Sequence, residues 1–216
     1  FASNADNAMF MYEGSDANAA MPYRAWYVGN RSDFAVSHSF VELLKGKNLV
    51  DHSHTDLPAG AGPNPFLGLE DPRLPIYAAP NKNGDYVGMF ISESSADAAT
   101  FTIESLPGDA IIGMPDFSET LMDYAEVAFI MSERNGWSQA DYEAGITASM
   151  EKWGVAEADI SAYIGAVPAA NMENVLTQKY IAMYMQGQQS WCEYRRTGYP
   201  KTLIPVFSDY AIEDPS

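Results

Sequence analysis

The chain has few of the residues that build disulfides, metal centres and basic surfaces. Its single cysteine, Cys192, excludes an internal disulfide, and its only histidines are His38, His52 and His54. Twelve lysines and arginines against 29 acids give a formal net charge of −17. A field of that sign repels nucleic acid and anionic lipid head groups. No apolar run approaches the roughly 18 residues of a membrane span. We therefore expect neither a nucleic-acid-binding protein nor a membrane-spanning segment.

Motifs for nucleotide binding and catalysis are also missing. Neither GxGxxG nor GxxxxGK[S/T] occurs. A glycosidase needs two carboxylates about 5–10 Å apart in a cleft, and no motif singles out such a pair here. We instead expect Glu126 to pair with Arg195 or Arg196 inside the fold. His52 and His54 lie in a segment rich in glycine and proline, so we interpret them as solvated rather than as zinc ligands. We expect no enzyme activity, no catalytic residue, no metal site and no cofactor.

Helical periodicity dominates the second half of the chain. The pattern predicts one helix over 115–136, opened by Asp116 and Glu119 at capping-box spacing, and a second over 138–154 capped by Ser138. Two helices joined by about four residues form an antiparallel hairpin of tetratricopeptide length. Two further helices are predicted at roughly 157–165 and 170–187.

The first half of the chain lacks long helical patterns. One short helix is predicted from Ser37 or Ser39 through Lys45, with Phe40, Leu43 and Leu44 on its buried side. Asn83-Gly84 fits a tight hairpin turn, since both residues tolerate positive φ. Short strands are predicted at Ile76–Ala79, Tyr86–Ser92, Phe101–Ile103 and Ala110–Ile112.

Aromatic and polar residues concentrate near the start of the chain. Tyr12, Tyr23, Trp26 and Tyr27 lie in a segment without helical period that also contains Arg31. Sugar rings stack their apolar C–H faces on aromatic side chains, and their hydroxyls bond to polar ones. These five residues are the candidate ligand-binding site. The alternative is that Trp26 and Tyr27 pack in the core.

The segment Gln178–Pro200, QKYIAMYMQGQQSWCEYRRTGYP, is the most distinctive part of the sequence. Gly187 lies where a helix would bend or end. Arg195 and Arg196 stand among aromatic residues, which favours stacked and hydrogen-bonded guanidinium groups rather than a solvated basic tail. Cys192 follows Trp191 in this cluster and is expected to be an inert, buried thiol.

Five elements in this order resemble the SusD/RagB-like family of nutrient-binding lipoproteins, most closely its second branch. They are Ser3–Asn7 (SNADN), Asp71–Arg73 (DPR), Tyr124–Val127 (YAEV), Tyr142–Val155 and Gln178–Pro200. The resemblance implies a mainly α fold with tetratricopeptide-like helix hairpins and a loop-rich layer carrying a few short strands. It implies that residues 1–216 are the C-terminal part of such a domain. Within it, 1–112 would be the loop and short-strand region and 113–200 the helical region. The family's N-terminal repeats and lipoprotein signal are not found among these residues.

The resemblance also implies a function. It predicts a binding subunit on the external face of the outer membrane that captures oligosaccharide and delivers it to a SusC-type TonB-dependent transporter. Its membrane attachment would be an N-terminal lipid anchor that is not present in this chain. A peptide-binding homologue of the same system and a helical-repeat scaffold that binds a protein partner remain the alternatives.

Overall fold

The computed structural model describes residues 1–16, 18–24, 35–50, 57–58, 60–90 and 104–204. The chain divides into two compact units. Unit 1 consists of Phe1–Phe10, Asp71–Arg73 and Ser118–Lys201. Unit 2 consists of the described residues of Met11–Glu70, Leu74–Phe117 and Thr202–Ser216.

Helices predominate in the described residues, as the sequence predicts. Unit 2 contains the short helices α1 (His38–Leu44), α2 (Leu74–Tyr77) and α3 (Asp109–Ile112). Unit 1 contains α4 (Tyr124–Arg134), α5 (Gln139–Lys152), α6 (Glu157–Ala166), α7 (Met172–Ala182) and α8 (Gly187–Thr197). Strand β1 (Ala8–Met11) pairs with strand β2 (Ser118–Met122) in a two-stranded sheet.

Helices α4 and α5 form the predicted hairpin. The side chain of Ser138 accepts a hydrogen bond from the backbone N–H of Asp141 and so caps α5, as predicted. Gly136 has a φ of +71°, a left-handed conformation that glycine adopts without steric cost, and it turns the chain between the helices. Gly145 allows close approach, because a Cβ atom there would lie 2.8 Å from Cε1 of Phe129.

The first helix of this hairpin begins later than the sequence pattern predicts. Residues Ser118–Met122 are strand β2, and the prediction that Asp116 and Glu119 open a helix is wrong. The same spacing recurs at Asp123 and Glu126, where the Asp123 carboxylate accepts the Glu126 backbone N–H at 2.9 Å. The periodicity placed the cap seven residues, about two helical turns, too early, because pairing of this segment with β1 cannot be inferred from a local pattern.

The predicted helix over 170–187 ends five residues early, and a further helix that was not predicted follows it. Helix α7 ends at Ala182, and Met185 has a φ of +68° in the turn that follows. Gly187 then opens α8. The chain does break between two helices here, but the helix ends before Gly187, and Gly187 is the first residue of the next helix instead of the end of one. Gly198, with a φ of +71°, ends α8.

The predicted helix after Ser37 is confirmed, whereas two predicted strands are helical. α1 buries Phe40, Leu43 and Leu44. Ile76 and Tyr77 belong to α2, and residues 110–112 belong to α3. Short apolar runs fit buried helices and strands equally well, and here each run closes one helical turn.

The other two predicted strands, Tyr86–Ser92 and Phe101–Ile103, are not seen as strands in the described residues. Met89 makes an isolated parallel bridge with Ser37, while Phe101–Ile103 lies outside the described residues. The turn at Asn83-Gly84 is present: Gly84 has a φ of +86°, and the Asn81 side chain accepts the backbone N–H groups of Asn83 and Asp85. Among the described residues on either side of it, no paired strands flank this turn, so it is a tight loop rather than a hairpin.

The DPR element contributes a buried ion pair, between Asp71 and Arg73, to unit 1. Arg73 has no exposed surface, and its Nε and Nη2 donate to the two carboxylate oxygens of Asp71 at 2.8 and 2.6 Å. Its Nη1 donates to Ser149 on α5 at 2.8 Å, and Nη2 also donates to Gln178 on α7 at 2.7 Å. Gln178 in turn donates to the Tyr163 hydroxyl on α6 at 2.8 Å. One guanidinium thus connects α5 and α7, and Gln178 extends the network to α6.

Candidate functional site

The candidate ligand-binding residues of the sequence lie in unit 2 and are only partly described. Tyr12 is half-buried and Tyr23 is 39% exposed. Trp26, Tyr27 and Arg31 lie outside the described residues. The convergence of these five side chains therefore stays a prediction.

The segment that presents Tyr23 is anchored on both sides. The Met21 N–H donates to the carbonyl of Pro115 at 2.9 Å, and the Met21 side chain is buried. Arg24 Nη1 donates to the carbonyl of Ile112, at the end of α3, at 3.0 Å. Residues on both sides of Tyr23 are thus held in place, and the Tyr23 side chain is partly exposed.

A second aromatic group, which the sequence analysis assigned to a structural role, lies on α8. Trp191 is 57% exposed, and none of the residues of α8 is buried. The ring of Tyr194 lies 6.2 Å from that of Trp191 at an interplanar angle of 28°, and Cζ of Arg195 lies 5.7 Å from the indole centre. We call Trp191, Tyr194 and Arg195 the α8 platform. Their spacing of i, i+3 and i+4 could have revealed a shared helix face, had the segment been predicted as helical.

An ion network holds α8 against its neighbours. Arg196 Nη1 and Nη2 donate to the two carboxylate oxygens of Glu133 on α4, each at 2.7 Å. Arg196 also donates to Glu193 one turn earlier, and Glu193 pairs at 3.0 Å with Lys179, a lysine of α7 that is only 2% exposed. The expectation that the paired arginines stack and hydrogen-bond is confirmed, with Arg195 stacking and Arg196 bonding.

The network lowers the pKa values of the Glu133 and Glu193 carboxyl groups. Hydrogen bonds from Arg196 lower the pKa of Glu133. Burial raises the pKa of Glu193, but hydrogen bonds from Arg196 and Lys179 outweigh it, and the pKa lies below its ordinary value. Both carboxylates therefore stay charged at neutral pH, as the ion pairs require.

The predicted pairing of Glu126 with Arg195 or Arg196 is wrong. Arg196 is saturated by Glu133 and Glu193, and Arg195 stacks on an indole. Burial raises the pKa of Glu126, Lys179 opposes this, and the charges of Asp123 and Glu193 add to it. Glu126 is thus a partly desolvated acid in a crowded acidic setting.

The prediction for Cys192 is also wrong, since its side chain is exposed. It lies on α8, which buries none of its residues, so the neighbouring Trp191 does not cover it. Of the histidines, His38 is buried in α1 and stacks on Phe90 with ring centres 4.2 Å apart, while His52 and His54 lie outside the described residues.

The described part of the chain contains neither a cluster of metal ligands nor a membrane-spanning helix. Within it, no group of three or more histidine, cysteine, aspartate or glutamate side chains is placed to hold a metal ion. Helices there are all too short or too polar to cross a bilayer.

Solved structures share this fold. A SusD homologue from Parabacteroides distasonis superposes with a TM-score of 0.69 at 22% identity, covering 92% of this chain and 45% of that one. A chitin-binding SusD homologue from Flavobacterium johnsoniae gives 0.67 at 23%, covering 97% and 45%. A SusD homologue from Bacteroides thetaiotaomicron gives 0.65 at 23%, covering 95% and 45%. The chain thus spans less than half the length of these solved relatives.

The sequence places the chain more directly. A comparison with curated proteins finds no match. Residues 63–211 match the model of a SusD-like family described as starch-binding and associating with the outer membrane. This match covers more than half of the chain and confirms the resemblance that the motifs carry. The chain belongs to this SusD-like family.

Proposed function

We propose that this chain is part of a nutrient-binding protein on the external face of the outer membrane, which captures oligosaccharide and delivers it to a SusC-type TonB-dependent transporter. The observation that carries the proposal is the family match over residues 63–211, whose description names both starch binding and the outer membrane. One structural neighbour, described as chitin-binding, supports glycan as the ligand class. Attachment to the membrane would be by an N-terminal lipid anchor.

The proposed reaction is binding and release, with no bond broken. A binding protein needs an aromatic surface for the sugar C–H faces and polar side chains for the hydroxyls, and it needs no nucleophile or acid–base pair. Tyr12, Tyr23, Trp26, Tyr27 and Arg31 supply that composition. The partial exposure of Tyr23 on an anchored segment supports their assignment as the glycan site.

A glycan screen tests the proposal. The wild-type chain and the variants Trp26→Ala and Tyr23→Ala would be run through affinity gels containing starch, chitin derivatives or other polysaccharides. Phe1→Ala is the matched control, because Phe1 is an exposed aromatic residue of unit 1 that lies outside the segment 12–31. We expect retardation by one glycan class that is lost in the two candidate variants and kept in the control. A folded wild-type chain that no glycan retards would contradict the proposal.

Delivery to the transporter has its own test. The tagged chain would be incubated with detergent-solubilised outer membranes, and retained proteins would be identified by mass spectrometry. Retention of a TonB-dependent barrel protein at stoichiometric amounts is expected. Its absence, with glycan binding intact, would restrict the proposal to capture alone.

Peptide cargo is the second candidate. The β1–β2 sheet favours it, because Met9, Phe10 and Leu121 are all exposed along two paired strands that could accept an extended segment. A peptide library bound by the wild-type chain and released by Phe10→Ser, without any glycan binding, would replace oligosaccharide by peptide as the ligand.

A further inference from the structure

The adjacent arginines of α8, Arg195 and Arg196, differ in the contacts that they make within the fold. Arg196 engages both carboxylate oxygens of Glu133 and both of Glu193. For Arg195, the contact that the structure gives is with the ring of Trp191. Neighbouring helical residues point about 100° apart, so Arg196 faces α4 while Arg195 is exposed on another side of α8.

Within the described part of the chain, Arg195 is a cation without a carboxylate partner next to an exposed indole. Five described cations, Lys45, Arg73, Lys152, Lys179 and Arg196, lie within 3.0 Å of a carboxylate, whereas others, such as Arg24 and Lys201, contact a carbonyl or an aromatic ring instead. Among the described residues, Arg195 forms no such pair, although acids outnumber bases by 29 to 12 in the sequence. A guanidinium offers five N–H donors and no acceptor. A group that complements it fully must be rich in acceptors, as a carboxylate is.

The α8 platform combines this cation with an open aromatic surface. Trp191 exposes 57% of its surface on a helix rather than on a loop, with Tyr194 stacked beside it. The ion pairs of Glu193 with Lys179 on α7 and of Arg196 with Glu133 on α4 hold α8 in place. At its start, Gln189 Nε2 donates to the Leu121 carbonyl at 3.4 Å. A surface held in this way loses little side-chain entropy when a ligand stacks on it.

We propose that the α8 platform binds an acidic sugar unit, such as a uronic acid within an oligosaccharide. The C–H face of the sugar ring stacks on the indole of Trp191, and the sugar carboxylate accepts hydrogen bonds from the Arg195 guanidinium. The inference rests on the proposed function, because it names a ligand class for the same glycan-binding protein, at residues other than the 12–31 segment.

The acidity of the whole chain does not prevent such binding. The net charge of −17 repels an anion at long range. At physiological salt the Debye length is about 8 Å, so charges farther away than that are largely screened. A direct guanidinium–carboxylate contact acts at hydrogen-bond distance and persists. We therefore expect binding that is weak at very low salt and strongest at moderate salt.

Calorimetric titration with trigalacturonate, and with its fully methyl-esterified form, tests the inference. Both ligands have the same sugar rings, and only the first presents carboxylates. The variants are Trp191→Ala and Arg195→Gln. Lys201→Gln is the matched control, because it removes one exposed cation that stacks on Tyr199 near the same helix end. Circular dichroism melts would establish that each variant folds.

The expected result is binding of trigalacturonate that exceeds binding of the ester by about tenfold or more, the size of one charge-assisted contact. Arg195→Gln should abolish this preference, Trp191→Ala should weaken both ligands, and Lys201→Gln should change neither. Equal binding of acid and ester, or an unchanged preference in Arg195→Gln, would overturn the acidic-sugar assignment while leaving glycan binding in place.

Two further outcomes would also overturn it. Oligoglutamate that binds as tightly as trigalacturonate would show a site for carboxylates in general, with no role for the sugar ring. Acrylamide that fails to quench the Trp191 fluorescence, identified by difference from Trp191→Phe, would show that the platform is covered. A wild-type chain that binds no glycan in either screen would overturn the proposed function as well, which separates the two failures.

Discussion

Removal of the Arg73 side chain should be among the most destabilising substitutions in unit 1. Arg73 is completely buried and Asp71 is 2% exposed, so Arg73→Met would leave a carboxylate in the interior without its counter-ion. Breaking a buried ion pair from one side costs about 3–5 kcal/mol. Ser149 and Gln178 would each lose a hydrogen bond as well, which places the expected loss toward the upper end of that range.

The exposed ion pair of Arg196 provides the matched control. Its guanidinium is 47% exposed, and Glu133 is 27% exposed. Solvent screens such a pair, so Arg196→Met should cost about 1 kcal/mol or less. Both arginines bind carboxylates with two nitrogens in the same unit, and burial is the main difference between them.

Urea unfolding followed by tryptophan fluorescence measures both losses. Trp137, Trp153 and Trp191 all belong to unit 1, so the signal reports mainly on the unit that contains Arg73. The double variant Asp71→Asn with Arg73→Met removes both charges, and it should regain a substantial part of the stability lost in Arg73→Met. Equal losses for the buried and the exposed arginine would refute the desolvation argument. A double variant no more stable than Arg73→Met would show that the unpaired charge is not the cause.

Three further predictions test the structure. Gly145→Ala should lower the free energy of unfolding by about 1–3 kcal/mol in urea melts, because the new methyl group meets the Phe129 ring. Gly165→Ala is the control: it has open space around it and should raise the free energy of unfolding by up to about 1 kcal/mol, so similar shifts in both variants would contradict the packing. Burial raises the pKa of Glu126 above 4.5, so the charge of Glu126 opposes folding at neutral pH. Glu126→Gln should therefore raise the free energy of unfolding at pH 7 but not below about pH 4. A lower free energy of unfolding at pH 7 would instead indicate that Glu126 forms a stabilising ion pair. Exposed Cys192 should react with a thiol reagent in the native state, at a rate close to that in urea, and strong native protection would contradict its exposure.

Capping and turn residues made the helical hairpin predictable. Ser138 and Gly136 act through their own backbone neighbours, so their effect can be inferred from a few consecutive letters. Strand β2 escaped prediction because its partner, β1, lies far away at the start of the chain. Local propensity cannot report such a pairing, and the acidic capping pattern occurs twice within a few residues.

The α8 platform escaped prediction for a related reason. The sequence predicts that a helix bends or ends at Gly187, so the residues around Arg195 and Arg196 have no predicted helix faces. The exposure of Cys192 and Trp191 can be inferred only when the segment is known to be a helix. That helix packs on one side through Glu193 and Arg196, which leaves Cys192 and Trp191 exposed. Burial is a property of the neighbours that a segment meets, and the composition of the segment does not contain it.

The two arginines show why a shared motif cannot be assigned one role. They are consecutive in sequence, but α8 turns them onto different neighbours: Arg196 meets Glu133 on another helix, and Arg195 meets Trp191 one turn back on its own. The ion pair of Arg196 holds the helix in place, and this fixes the surface on which Arg195 lies. If that division holds, Arg196→Gln should lower stability and, through the loosened helix, weaken acidic-sugar binding, whereas Arg195→Gln should weaken that binding with stability unchanged. Loss of binding without any loss of stability in Arg196→Gln would mean that both guanidinium groups contact the ligand.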